Sequence, residues 1–291
     1  MNRRFFRIIC LPLALTAGSC TYNFYPASCD YPTTGPLKRI TTLSDTLNET
    51  SGLASTGNGF VSFNDSGGEP ALYTFTSNSS NLTKTIIQGA TNVDWEDIAF
   101  DGTSFFIADV GNNFGTRDTL VIYKIPALKP EGELSINGAD KITFTYDEEK
   151  TVSSRGFYSH DCEAVLAYGD SLYLFAKDWV TLNTRVYVLP KTQGHYQVKS
   201  RVTYPVNALI TGADIDIGKR EVILSGYRYL FPVLIRYSFI SDPAIIECGG
   251  RGRRYPSLSG TQVEGVCYDE SGNIFVTSEK RVFKQALYRA Y

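Results

Sequence analysis

NVDWEDIAFDGTSFFIADVGNNFGTRDTLVIYKIP, residues 92–126, decides the reading of this chain. Three runs rich in Ile, Val, Phe and Tyr, at 98–100, 104–109 and 120–125, have the length and composition of strands. Asp101-Gly102 between the first two predicts a type I′ hairpin turn, which needs the positive φ that Asp-Gly supplies. Gly111-Asn112-Asn113 opens a longer polar loop. The cluster Asp94-Trp95-Glu96-Asp97 stands before the first strand, and Asp109 closes the second.

The same phrase recurs along the chain. A unit before it has strands at 52–55, 59–65, 71–76 and 82–88, and 141–146 supplies its own fourth strand. Further units read as 163–168, 171–176, 185–189 and 196–202, then 213–217, 221–226, 233–239 and 244–248. The last unit, 265–268, 273–278 and 286–290, is one strand short, and a lone strand at 37–43 precedes the first unit. Four-stranded units at intervals of roughly 43 to 67 residues are the signature of an all-β fold, the β-propeller. Five blades fit, closed by the N-terminal strand pairing with the last blade. A six-bladed ring is the alternative and would need a unit within 127–160, which has room for little beyond one strand and a loop. A pair of sandwiches fits the spacing less well.

The composition agrees: 19 Tyr and 17 Phe against one Met favour strands over helices. Of 28 basic side chains, Arg3, Arg4 and Arg7 lie in the first nineteen residues, which leaves 25 against 30 acidic ones. A mildly acidic body has no electrostatic footprint for nucleic acid, and no such partner is expected.

Residues 1–19 read as a signal peptide, with a basic start, an apolar run at 8–17 too short to span a bilayer, and small residues before Cys20. Ala-Gly-Ser-Cys20 resembles a bacterial lipobox, although Ala17 stands where Leu is usual. The expectation is a lipoprotein anchored to the membrane through Cys20, with 20–36 as a Pro/Ser/Thr-rich tether and 37–291 as the propeller domain. An ordinary secretory signal cleaved near Ala17 is the alternative. The expected location is the cell envelope, at an outer membrane and facing the periplasm. Cys29, Cys162, Cys248 and Cys267 remain, with no CxxC pair to suggest zinc, and a Cys29–Cys248 bridge is a subsidiary expectation.

Asn64-Asp-Ser-Gly-Gly, Asn92-Val-Asp-Trp-Glu-Asp-Ile-Ala, Ala108-Asp-Val-Gly-Asn-Asn, Asp161-Cys-Glu-Ala-Val, Leu172-Tyr-Leu-Phe-Ala-Lys-Asp-Trp, Ile210-Thr-Gly-Ala-Asp, Val263-Glu-Gly-Val and Thr277-Ser-Glu carry a resemblance. Over about residues 50–290 the chain resembles a widespread Bacteroidota family of secreted propellers. More distantly it is similar to the SdiA-regulated and phytase-like propellers, which share an acidic-Gly phrase opening each blade. The resemblance implies the fold and no settled activity.

Innermost strands of a propeller line its channel. Aligning the units places Ser51, Glu96, Glu163, Ala213 and Glu264 in one slot, with Asp97 and Asp214 one residue on. Asp65, Asp109, Lys177, Tyr227 and Glu279 share a second slot at the end of the second strand. Carboxylates converging on one mouth call for a bound cation, a cationic ligand or raised pKa values. Oxygen ligands, with Asn64, Asn112 and Asn113 nearby, suit calcium better than zinc, and Glu96, Glu163, Glu264 and Asp109 are the expected metal ligands. The competing structural reading has these acids capping turns with no ligand.

His160 is a candidate general base or a solvated loop residue. Trp95 and Trp179 are a stacking floor or packing, and Arg251-Gly-Arg-Arg254 is a basic loop. No Gly-x-Ser-x-Gly elbow, HExxH or P-loop occurs. The functional expectation is a binding or scaffolding module for a protein, glycan or small molecule, with a structural cation such as calcium, and the balance leans away from an enzyme. The alternative is a calcium-dependent hydrolase of phytase or lactonase type, for which Lys177 with Arg155 or Arg185 would hold the anionic substrate.

Overall fold

Sequential strands pair antiparallel, hairpin after hairpin, and the computed structural model arranges them as a five-bladed β-propeller. It describes residues 31–128, 135–149, 152, 156, 158–244, 248–281 and 283–291. Strand β1 (Lys38–Thr42) comes first. Blade one is β2 (Thr50–Ser55), β3 (Phe60–Asn64), β4 (Ala71–Thr76) and β5 (Ser79–Gln88). Blade two is β6 (Trp95–Phe100), β7 (Ser104–Asp109) and β8 (Leu120–Pro126), then, after a short β9 (Ser135–Asn137), β10 (Asp140–Tyr146). Blade three is β11 (Asp161–Tyr168), β12 (Ser171–Lys177) and β13 (Thr184–Pro190), then, after β14 (Gly194–Val198), β15 (Val202–Tyr204). Blade four is β16 (Leu209–Asp216), β17 (Glu221–Arg228), β18 (Phe231–Ser238) and β19 (Cys248–Arg254). Blade five is β20 (Val263–Tyr268), β21 (Ile274–Ser278) and β22 (Ala286–Ala290).

The ring closes as the strand count requires. β1 lies antiparallel on β22, from Lys38↔Arg289 to Thr42↔Ala286, and supplies the last blade's missing outer strand. Among the described residues, 127–160 hold β9 and β10 and no sixth blade. Inner and middle strands are buried on both faces because each blade is sandwiched between two others. Trp95 shows the packing: it meets Phe63 of blade one edge-on, with ring centroids 5.3 Å apart, and its Nε1 donates to Thr91 O at 2.8 Å. It is interior packing, not a stacking floor.

Several expectations are corrected. The strand expected at 196–202 is split: β14 joins blade two in parallel with β10, from Ile142↔Gly194 to Tyr146↔Val198, while β15 pairs with β13. β9 likewise adds in parallel to β5 of blade one. In both places the connection to an outer strand reaches back and covers the edge of the preceding blade, a crossover that hairpin spacing does not reveal. Blade four's outer strand is β19 rather than 244–248, so Arg251–Arg254 form a strand and not a loop. The body begins before residue 37: Tyr31 is buried with Tyr204 and Val206, and Thr33 bridges to Arg254. At the Asp101-Gly102 turn only Gly102 has positive φ, 91°, and Asp101 Oδ1 accepts from Thr103 and Ser104 N–H, so the turn is not type I′. The signal peptide, Cys20 and Cys29 lie outside the described residues.

Candidate functional site

Every inner strand carries a one-residue bulge near its start, and the bulges align the blades. The bulged residues are Ser51, Glu96, Glu163, Thr211 and Glu264. Thr211, not Ala213, therefore occupies the slot in blade four, and Asp214 falls three residues further on rather than one. The next position, Gly52, Asp97, Ala164, Gly212 and Gly265, is where inner strands nearly touch. A Cβ on Gly212 would lie 2.4 Å from Glu264 O, and one on Gly265 2.5 Å from Ser51 O. Asp97 alone carries a polar side chain there. Fully buried at the axis, it accepts N–H bonds from Ile98 at 2.8 Å, Val165 at 2.9 Å and Ala213 at 3.1 Å. Burial drives its pKa up while these three donors oppose the shift.

The second slot also shifts by one residue in blade two. Trp95↔Asp109 matches Thr50↔Asn64 and Val263↔Ser278, so Asp109 lines up with Asn64, and Val110 with Asp65, Lys177, Tyr227 and Glu279. Because side chains alternate along a strand, Asp109 does not join the mouth. It pairs with Arg117 Nη2 at 2.8 Å and accepts from Asp94 N at 3.1 Å, as a holder of its loop and not as the expected metal ligand. Asn112 bonds backbone groups of its own loop, and Asn64 bonds Thr46 O and Glu49 N of the segment before β2.

Lys177 stands at the centre of the mouth, nearly buried. Its Nζ lies 2.5 Å from Glu163 Oε1 and 3.5 Å from Asp161 Oδ2, and 4.8 Å above the Trp179 ring. Burial pulls the Lys177 pKa down, but Glu163, Asp161, Tyr227 and Glu96 together lift it well above the lysine range. It is a cation built into the site. Asp161 also accepts from Trp179 Nε1 at 3.0 Å, so Trp179 lies at the mouth. Glu264 accepts from Gln262 at 3.0 Å, and Glu279 pairs with Arg281 at 2.9 Å.

One ammonium does not balance this group. Asp65, Asp94 and Glu96 each place a carboxylate oxygen within 4.8 Å of the others. Glu96 is only 7% exposed, and its carboxylate makes no hydrogen bond or ion pair among the described residues. Burial first, then Glu163 and Asp65, hold its pKa well above the carboxylate range. Burial also pushes Asp94 up to about 6 and Glu279 to about 7. Gly111 closes over the first of these, since a Cβ there would lie 2.2 Å from Glu96 Oε1 and 2.3 Å from Asp94 Oδ2. Three oxygen donors, one of them buried and unpartnered, fit a hard divalent cation. Asp94 stood in the acidic run of the sequence, but the repeat alignment gave it no slot.

Asp214 is at the opposite mouth, beside a cavity of about 500 Å³ lined also by Ser55, Thr56, Asp216 and Glu270. Its Oδ2 accepts from Tyr268 N at 2.7 Å, and burial raises its pKa to about 7. His160 is buried, not solvated: it contacts Tyr158 OH at 3.2 Å and Glu148 at 3.5 Å, with Tyr146 and Tyr187 around it. Arg185 is committed to Asp178 and Ser159 O, and Arg155 lies outside the described residues.

No family model matches the sequence, and no curated protein does. Solved structures do match. The PQQ-bound aldose sugar dehydrogenase of Streptomyces coelicolor superposes with a TM-score of 0.53 at 9% identity, covering 89% of this chain and 99% of that one. A glucose dehydrogenase gives 0.51 at 10% identity, covering 86% and 98%. The Malassezia sympodialis allergen Mala s 1 gives 0.50 at 8% identity, covering 88% and 96%. At such identities the likeness concerns the propeller fold alone.

Proposed function

We propose that this chain is a binding propeller of the cell envelope, anchored by lipid at Cys20, which recognises its ligand over the acidic mouth around Lys177. The observation that carries the reading is Glu96 beside Asp65 and Asp94, more than nine-tenths buried and with no hydrogen bond or ion pair to its carboxylate among the described residues. Carboxylates held in this way relieve their repulsion by taking up protons or a cation, and the hard oxygen set suits calcium. Asp65, Asp94 and Glu96 would hold the ion, and Lys177 keeps Glu163 and Asp161 occupied. The basic start of the chain, the apolar run and the lipobox-like Ala-Gly-Ser-Cys20 support the anchor and an outer-membrane site facing the periplasm. So does the resemblance to secreted Bacteroidota propellers. Mass spectrometry of the mature N-terminus tests the anchor, and a terminus elsewhere than an acylated Cys20 rejects it.

Metal analysis and calcium-dependent melting test the cation. A hundredfold excess of calcium over its dissociation constant should add about 2.7 kcal/mol of stability. Glu96→Gln should remove the gain. If no divalent ion raises the melting temperature, the cation is rejected. The calcium-dependent hydrolase is a second reading, favoured by two carboxyl groups, Asp94 and Glu279, poised near neutrality. Against it, Arg185 is already paired and cannot serve an anionic substrate. Calcium-dependent turnover of a phosphate or carboxylic ester, lost in Asp94→Asn, would restore it.

A further inference from the structure

Large apolar side chains stand exposed on the loops around the acidic mouth. Val93 precedes β6, Val180 lies between β12 and β13, and Phe283 lies between β21 and β22; they are 52%, 55% and 47% exposed. Tyr229 and Leu230 form the two-residue tip between β17 and β18, 73% and 68% exposed. Loops that follow a blade's second strand, or precede its first, all emerge on this face, so blades two to five each set an apolar group on one rim.

The Tyr229 tip shows that this exposure is maintained against local preference. Tyr229 has φ 55°, a left-handed conformation that bulky residues rarely adopt and that Gly or Asn fills readily. The Tyr229 ring lies 5.0 Å from the Arg228 guanidinium, and Leu230 beside it faces solvent. The rim is also preset: Val180 N–H is tied to Asp178 at 2.8 Å, and Val93 N–H to Asp109 at 3.4 Å.

We infer that this rim docks a protein segment presenting a lysine or arginine between apolar side chains, the basic group entering the acidic well and the apolar groups covering the hairpin tips. The inference names the partner class for the binding module proposed above and rests on that reading. Charge complementarity selects the occupant. Inside the rim, Asp65, Asp94, Glu96 and Glu264 form no ion pair among the described residues: Lys177 faces Glu163 and Asp161, Arg117 is paired with Asp109, and Arg281 with Glu279. A bound divalent ion would leave the well acidic. An anionic membrane surface or an acidic peptide would be repelled by the well, and two of the cations flanking Phe283 are engaged, Lys280 with Asp45 and Arg281 with Glu279.

Fluorescence anisotropy with short peptides containing a central Leu-Lys-Phe tests this, in EDTA and in calcium. Peptides with central Leu-Glu-Phe and Ser-Lys-Ser are the comparisons. The Leu-Lys-Phe peptide should bind at least about tenfold tighter than either. The double change Tyr229→Asn with Leu230→Ser should weaken it by about tenfold without lowering the melting temperature, because Asn accepts the left-handed conformation. Binding in EDTA supports docking even if no metal is ever found, and a calcium-stabilised protein that binds none of the peptides rejects docking alone. Equal binding of all three peptides, or an unaffected rim variant, overturns the inference. So does a dimer that this variant dissolves, or adsorption to phosphatidylcholine vesicles that it abolishes.

Discussion

The carboxylate of Asp97 accepts the backbone N–H of Ala213 at 3.1 Å, tying the inner strand of blade two to that of blade four across the ring axis. The same carboxylate accepts from Val165 of blade three and from Ile98 of its own strand. Asp97→Ala leaves three buried donors unsatisfied, at about 1–3 kcal/mol each. The expected loss is at least about 3 kcal/mol in chemical denaturation, with Asp97→Asn costing less because its amide oxygen keeps part of the set. A loss below about 1 kcal/mol would mean that water or a neighbouring group replaces the carboxylate.

The glycines beside Asp97 make a second, independent test. Gly212 and Gly265 pack against backbone oxygens of the neighbouring inner strand, which cannot move aside without shifting a blade. Gly265→Ala is expected to lower stability by about 1–3 kcal/mol through overpacking. Gly35 has nothing within 4 Å, and Gly35→Ala should change the melting temperature hardly at all. Equal tolerance at the two positions would contradict the close approach of the inner strands.

These contacts also explain what was legible in the sequence. Hairpins and hydrophobic runs repeat with the blades, so the inner three strands of each unit and the closing β1 could be read from local pattern. The bulge could not, because it adds one residue to the inner strand without changing composition. Nor could the offsets between blades, two residues in blade four, where Thr211 holds the place expected of Ala213, and one residue in blade two, where Asp109 lines up with Asn64. The outer strands β14 and β15 were misread because parallel pairing with a preceding blade leaves no turn signature. Asp94 is a neighbour in space rather than by slot. It stands two residues before Glu96, and Gly111 lets the following loop pass close to both carboxylates.

Closure makes a third prediction. β1 covers the outer edge of β22, Leu37, Leu43 and Leu47 are buried, and Gln285 Nε2 donates to Ser44 O at 2.9 Å. Deleting residues 37–46 should abolish the cooperative melting transition and leave a sheet edge open to aggregation. The preceding residues matter as well. Tyr31 is buried, and Tyr31→Ala is expected to cost about 3–5 kcal/mol. A cooperative transition surviving the deletion would show that the ring closes without the N-terminal strand.

The acidic mouth makes stability depend on pH with a sign opposite to that of ordinary salt-bridged carboxylates. Burial raises Asp94 from 3.8 to about 6 and Glu279 from 4.5 to about 7, and holds Glu96 well above 4.5. A carboxyl whose folded pKa exceeds its unfolded value binds its proton more tightly when folded, so its contribution is complete below the unfolded pKa and is lost as pH rises through the folded one. Without metal, the melting temperature should therefore fall between pH 5 and pH 8. Asp101 acts the other way: burial opposes the shift, but Lys191 and Thr103 bring its pKa to about 2, so its share of stability is lost as pH falls below about 4. The optimum in EDTA should accordingly lie near pH 5. Calcium competes with these protons, so its stabilisation should be larger at pH 8 than at pH 5 and should oppose the decline. Glu96→Gln should both flatten the EDTA profile and remove the calcium gain. A melting temperature that rises from pH 5 to pH 8 in EDTA would show that the mouth carboxylates are solvated and ionised, leaving no unmet charge for a cation to answer.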